Sequence, residues 1–247
     1  MRLVRLGLVG ALAAATIAGC GSDSDAPGGA GDRGAGVGAL GGGAGVDTLA
    51  RTRLSEPPGR ELAWVADEIR LEPGEEVEHA HELAFAYARR GDSRLNGKPL
   101  EAGAGAAIES GVRHTHAAAQ DGAVVWEVRL AAPDSAPSRG ARRVFASGRL
   151  EGIPTGATAS FLEVTVPPRG GRTTVHTHPG PEFIYQLSGR IDYQNGLIGT
   201  KRLGPGGAEA IPPDTAVQKR NPFKQPATFL SWFLVDPDEP FAPKASF

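Results

Sequence analysis

The sequence predicts an all-β fold of two similar domains, and three observations carry that expectation. Past about Arg60, short runs of Val, Ile, Leu, Phe, Trp and Tyr alternate with Gly and Pro, the mark of strands joined by tight turns. The chain also repeats itself at an offset of about 97 residues, Gly74 to His81 reading like Gly171 to His178. Finally, all 6 histidines fall into His-x-His pairs: His79/His81, His114/His116 and His176/His178. Side chains two residues apart share one face of a strand, so each pair offers two imidazoles to one metal ion.

Before the β-rich part comes a leader. Arg2 and Arg5 precede an apolar run from Leu6 to Ala18, shorter than the roughly 20 residues that span a bilayer. The run ends in Ile17-Ala18-Gly19-Cys20, and Cys20 is the only cysteine of the chain. This order resembles a bacterial lipoprotein leader. The resemblance implies removal of residues 1–19, lipidation of Cys20, and a chain exported to the cell envelope and anchored to a membrane through its lipid. One cysteine leaves no disulfide to form, so stability rests on the hydrophobic core. Without the leader the chain carries 24 basic against 28 acidic residues, a net charge of −4, and no basic patch that would suit nucleic acid.

Residues 20–50 form the next region, largely Gly, Ala, Ser and Asp up to about Val46, and read as a flexible tether. Near its end a weak amphipathic helix is expected around Asp47–Arg53. A first β-domain follows over residues 55–132, with Ala123–Leu130 as its clearest strand, entered through Asp121-Gly122. The Pro- and Ser-containing stretch Ala132–Gly140 marks a boundary. The second β-domain occupies residues 141–240, with strands expected at Ala159–Val166, Glu182–Leu187 and Thr228–Val235. Trp126, Trp232, Phe161, Phe229 and Phe233 read as ordinary core residues.

The second repeat carries the denser motif. Gly170 is followed after five residues by His176-Thr177-His178, then after three by Glu182, and after six more by Gly189. Pro179-Gly180-Pro181 forces a turn that returns Glu182 toward the two imidazoles. Two histidines and one carboxylate on one face suit Fe(II) or Mn(II). The spacing resembles the first signature of the cupin superfamily at each fixed position. In the second signature Gln218 stands where that family has a histidine, and Thr215 where it has a glycine. Gln218 is therefore the expected fourth ligand, through its side-chain oxygen.

The first repeat resembles the same pattern in part. His79 and His81 match, but the glutamate position falls on Ala84 or Phe85, counted from either end, and Glu82 points wrongly on a regular strand. Gly103, Gly111 and His114 match the second signature, with Glu109 in place of proline. His79, His81 and His114 would form a three-histidine site suited to Zn, Cu, Ni or Fe. His116, on the face of His114, is either a fourth ligand or a group that holds one.

The resemblance implies two jelly-roll-like barrels in one chain, a bicupin, with a divalent metal at the base of each. Fe(II) or Mn(II) is favoured, with Zn, Ni and Cu as further candidates. The functional spread of such proteins covers dioxygenases, decarboxylases, isomerases and non-catalytic binders. Dioxygenase-type chemistry on a small organic molecule is the leading expectation, and a surface-tethered binding module without turnover is the alternative. Ile184 and Gln186 alternate with Glu182 and are expected to line the pocket. Exposed sheet edges make a homodimer a natural expectation.

Overall fold

The computed structural model describes residues 40–54 and 61–247; the leader, Cys20 and the tether up to residue 39 lie outside the described residues. Strand β1 (Gly45–Arg53) comes first. It occupies both the end of the expected tether and the place of the expected helix. A seven-residue helix would be marginal on its own, since nucleation fixes several residues for one hydrogen bond. Pairing along β11 (Thr158–Val166), from Gly45 opposite Thr165 to Arg53 opposite Thr158, satisfies the backbone instead.

Nine strands build the N-terminal barrel: β2 (Ala63–Leu71), β3 (Glu76–His79), β4 (Ala84–Arg90), β5 (Ser93–Leu95), β6 (Lys98–Leu100), β7 (Gly105–Ile108), β8 (His114–Ala118), β9 (Ala123–Ala131) and β10 (Arg142–Ala146). They form a five-stranded sheet, β10-β2-β9-β4-β7, facing a four-stranded one, β3-β8-β5-β6. The C-terminal barrel adds, after β11, β12 (Gly171–Arg172), β13 (Glu182–Ser188), β14 (Ile191–Asn195), β15 (Gly199–Leu203), β16 (Ala208–Ile211), β17 (Val217–Asn221) and β18 (Ala227–Val235). Its sheets are β1-β11-β18-β13-β16 and β12-β17-β14-β15.

Alternation along the strands explains why the central ones read as continuous apolar runs. On β18, Phe229, Phe233 and Val235 point into the C-terminal barrel, where they meet Leu162, Ile184, Ile191 and Tyr193. Leu230, Trp232 and Leu234 point the other way, into a shared core between the two five-stranded sheets. Trp64, Phe85, Trp126, Val128 and Phe161 fill the same layer, with Phe161 stacked on Trp232 at 5.0 Å. Both faces of the central strands β2, β9, β11 and β18 are thus largely buried, while the outer strands β1 and β10 keep exposed positions. The inner faces are apolar except where histidines, acids and Lys219 collect, and those exceptions locate the sites.

The expected boundary at residues 132–140 is a loop, but β10 beyond it still pairs with β2, Arg142 lying opposite Glu68. Each barrel therefore includes a strand from outside its own expected span: β1 on the C-terminal sheet and β10 on the N-terminal one.

Candidate metal centre

Inside the N-terminal barrel, β3 and β8 run side by side with His79 opposite His114. His81 follows on the turn into β4. Opposite them stands β9, whose inward positions are Val125, Glu127 and Arg129. Glu127 is fully buried, and all four histidines of this barrel reach it. The Nε2 atoms of His114 and His116 lie 2.8 Å from its Oε1, and His81 Nε2 lies 3.2 Å and His79 Nδ1 3.1 Å from its Oε2.

His79, His81, His114 and Glu127 each offer a donor atom within 4.8 Å of the other three. Donors bound to one ion at about 2.0–2.2 Å stand roughly 3–4.4 Å apart, so the cluster is close to a ligand cage. Two ring orientations are fixed from behind. His81 Nδ1 lies 2.8 Å from the Glu82 carbonyl and His114 Nδ1 3.2 Å from that of Val112. Donating Nδ1–H there leaves each Nε2 lone pair facing inward. His81 Nε2 has no well-aligned hydrogen-bond partner, as expected of a lone pair meant for an ion. The residues present fit a divalent metal.

The electrostatics agree. Burial works to raise the Glu127 carboxyl, but its contacts with His114, His116, His79 and His81 hold it well below the usual range. The same contact pushes His79 upward against the effect of burial. His116 lies outside the four-donor group and grips Glu127 Oε1, so of the two expected roles it takes that of holding a ligand. Ser138 Oγ donates to Oε2 at 3.1 Å from the loop after β9.

Glu127 was not among the expected ligands. Its register explains how it replaces the missing glutamate. Ala84 pairs with Arg129 and Ala86 with Glu127, just as Glu182 pairs with Phe233 and Ile184 with Ser231. Ala84 therefore corresponds to Glu182, and Glu127 to Ser231: the carboxylate has moved to the neighbouring strand. The available sequence signal was a lone glutamate inside the apolar run Val124-Val125-Trp126-Glu127-Val128, since unpaired buried acids are rare.

In the C-terminal barrel His176, His178 and Glu182 do come together. All three are buried, the two rings stand 4.9 Å apart, and His178 Nε2 lies 3.6 Å from Glu182. The fourth expected ligand is corrected. Gln218 faces away and donates its side-chain N–H to the Thr173 carbonyl at 2.9 Å. The inward residue is Lys219, whose Nζ lies 3.0 and 2.9 Å from the two oxygens of Glu182, while Ser231 Oγ donates to Oε1 at 2.6 Å.

A one-residue shift in the repeat accounts for this. The N–H of Gly111 (φ 73°) donates to the His81 carbonyl, and that of Asp214 (φ 58°) to the His178 carbonyl. Asp214, not Thr215, takes the left-handed turn position that glycine fills in the first repeat. Three residues on, His114 corresponds to Val217, and His116 to Lys219. On a strand a shift of one residue moves a side chain to the opposite face. Gln218→His is accordingly expected to leave metal content unchanged; elemental analysis of the purified variant checks it.

The expected pocket-lining residues lie in the interior. Ile184 is part of the apolar core, and the Gln186 amide donates to the carbonyls of Ser188 and Thr228.

His176 and His178 are pushed down to about 3 and about 4, mainly by burial, with the Lys219 cation adding to it. Burial also works against charge on Glu182, yet chiefly Lys219 holds its carboxyl down at about 2. Unfolded, the histidines titrate near 6.5 and the acid near 4.5. Below pH 6.5 the unfolded chain takes up protons that the native state refuses, so stability falls with acid toward pH 4. The expected slope is about 1.4 kcal/mol per pH unit for each histidine. Urea midpoints at pH 7, 6 and 5 in EDTA measure it, and equal midpoints would contradict it.

Residues 162–233 match the profile of the cupin domain. Among solved structures, the chain is similar to the oxalate decarboxylase of Lactobacillus farciminis in its formate complex, at 16% identity and a TM-score of 0.54, covering 79% of this chain and 88% of that one. A mutant of the Bacillus subtilis oxalate decarboxylase gives 17% identity and a TM-score of 0.54 over 80% of each chain. A structure concerned with the Mn(II) centres of that enzyme gives 17% and 0.52, over 77% of this chain and 78% of that one. At such identities the likeness is one of fold. Among curated proteins none matches. The architecture is two cupin barrels in tandem.

Proposed function

We propose that the chain is a metal-dependent oxidoreductase of the cell envelope, with Mn(II) or Fe(II) held in its N-terminal barrel by His79, His81, His114 and Glu127. The observation that carries this reading is the convergence of three imidazoles and one carboxylate within 4.8 Å. Three nitrogens and one anionic oxygen suit these ions, and four protein donors on a six-coordinate metal leave room for a small molecule. Bound there, the metal would supply Lewis acidity and one-electron chemistry toward dioxygen and a small organic acid. The chain's own residues do the rest: His116 and Ser138 hold Glu127 in place, and the dry barrel excludes bulk water. Anchorage through Cys20 would place this chemistry at a membrane surface.

The seclusion of the cluster supports the second reading, a tethered binding module without turnover. The side chains of its four donors are between 0% and 7% exposed. One experiment separates the two. Full-length protein loaded with Mn(II) or Fe(II) is assayed for dioxygen uptake and carbon dioxide release with oxalate, phenols, diketones, thiols and sugars. Metal-dependent turnover of any of them supports the enzyme. Saturable binding without turnover supports the module, and protein that retains no metal rejects both.

A further inference from the structure

The two barrels superimpose a histidine on a lysine, His116 on Lys219, and a histidine on a valine, His114 on Val217. Where the first barrel has His114 and His116, the C-terminal site thus has an apolar side chain and a primary amine. That amine is 1% exposed and lies 2.9–3.0 Å from both oxygens of the one carboxylate present. We infer that Lys219 is the resident cation of the C-terminal barrel, standing in for its metal, so that this barrel takes up no metal ion while the amine is in place.

The argument is one of charge and space. Glu182 is 1% exposed and needs a positive partner; Lys219 supplies one unit and equalises the pair. A divalent ion bound by the same carboxylate would lie within a few ångströms of the ammonium, a like-charge contact without water to screen it. Both carboxylate oxygens that a metal would use already accept hydrogen bonds, Oε1 from Lys219 and the Ser231 hydroxyl and Oε2 from Lys219. His176 and His178 keep the metal-binding geometry of the fold. Their Nδ1 atoms lie 2.8 and 2.6 Å from the carbonyls of Thr174 and Phe241, and their Nε2 atoms have no hydrogen-bond partner. They are the remainder of a ligand set whose cation has become part of the chain.

The closing segment of the chain supports the same view. Phe241 is buried against His178 and Phe233, with ring centroids 4.9 Å from each. Thr177 N–H donates to the Pro243 carbonyl and Ala245 N–H to that of Val175. The tail therefore seals the side of the site where the two histidines enter. A sealed, internally neutral pair needs nothing from solvent.

This inference stands apart from the proposed function, and the test distinguishes them. Full-length wild type, Lys219→Met, and the double variant Glu127→Gln/His81→Ala are incubated with excess Mn(II), freed of unbound ion and analysed for metal. The expected contents are one, two and zero ions per chain. In Lys219→Met the freed carboxylate and the two unpartnered imidazoles form the vacated site, and Mn(II) should raise its melting temperature further than that of wild type. Lys219→His, which replaces the ammonium with a nitrogen that can be neutral and ligate, should also reach two and covers the case in which the methionine variant does not fold. Two ions in wild type, one ion in the double variant, or no gain in either Lys219 variant would overturn the inference. Zero ions in wild type but one in Lys219→Met would sink the proposed function and leave the inference standing.

Discussion

Glu127→Ala is expected to weaken Mn(II) binding by more than about 100-fold, because removing a group that merely orients a ligand already costs 10–100-fold in comparable sites. Glu127 is both the only carboxylate of the cluster and the point on which its imidazoles converge. Three neutral nitrogens remain in the variant, a set that suits Zn or Cu better than Mn(II). Selectivity should therefore shift as affinity falls. Competition titrations with Mn(II) and Zn(II) measure both quantities, and an unchanged Mn(II) affinity would place the metal elsewhere. His116→Ala should act in the same direction but less strongly, since that ring holds Glu127 without joining the donor group.

The second large effect concerns the base of the same barrel. Asp67 is fully buried on β2 and accepts hydrogen bonds from Arg129 Nη2 at 2.8 Å and Arg143 Nε at 2.7 Å. It also accepts the Ser138 backbone N–H at 3.0 Å. Asp67→Ala would leave the Arg129 guanidinium, 5% exposed, without its main counter-charge. Breaking a buried pair from one side costs about 3–5 kcal/mol, because the orphaned charge remains desolvated. That is a large share of the stability of an ordinary domain, about 5–15 kcal/mol. Equilibrium urea unfolding should show it as a lowered midpoint. Metal binding should also weaken, because Arg129 and Asp67 together fix the loop from which Ser138 reaches Glu127. A variant as stable as wild type would mean that Glu82, 3.4 Å from Arg129, suffices as a partner.

The sequence made the strands and the histidine pairs legible for one physical reason: both features depend only on neighbours along the chain. Alternation with period two holds for His114 and His116, which share β8. His81 lies past the end of β3, and His176 and His178 lie between β12 and β13, yet close spacing along the chain still keeps each pair together. What could not be read was set by pairing between strands. Glu127 lies 46 residues beyond His81 and joins it only because β9 crosses opposite the turn into β4. Lys219 was missed through a single count. Glycine was taken as the fixed point of the second motif, while the structure puts Asp214 in that left-handed conformation. Asp tolerates such a backbone better than most residues, so the turn is kept while its letter changes. The strand after it then begins one residue earlier, and its inward set is Val217 and Lys219. The short helix expected at Asp47–Arg53 failed for the same reason, since its neighbour, β11, lies more than a hundred residues away.

The exchange of outer strands has a consequence for how the molecule can be divided. A fragment starting near residue 60 would keep every group of the lysine cluster but lose β1, baring the full flank of β11 from Thr158 to Val166. Unpaired N–H and C=O groups in a row invite a strand from another molecule. Cutting the chain in the loop at residues 132–140 would likewise strip β10 from β2, so each separated half would present one bare flank to its surroundings.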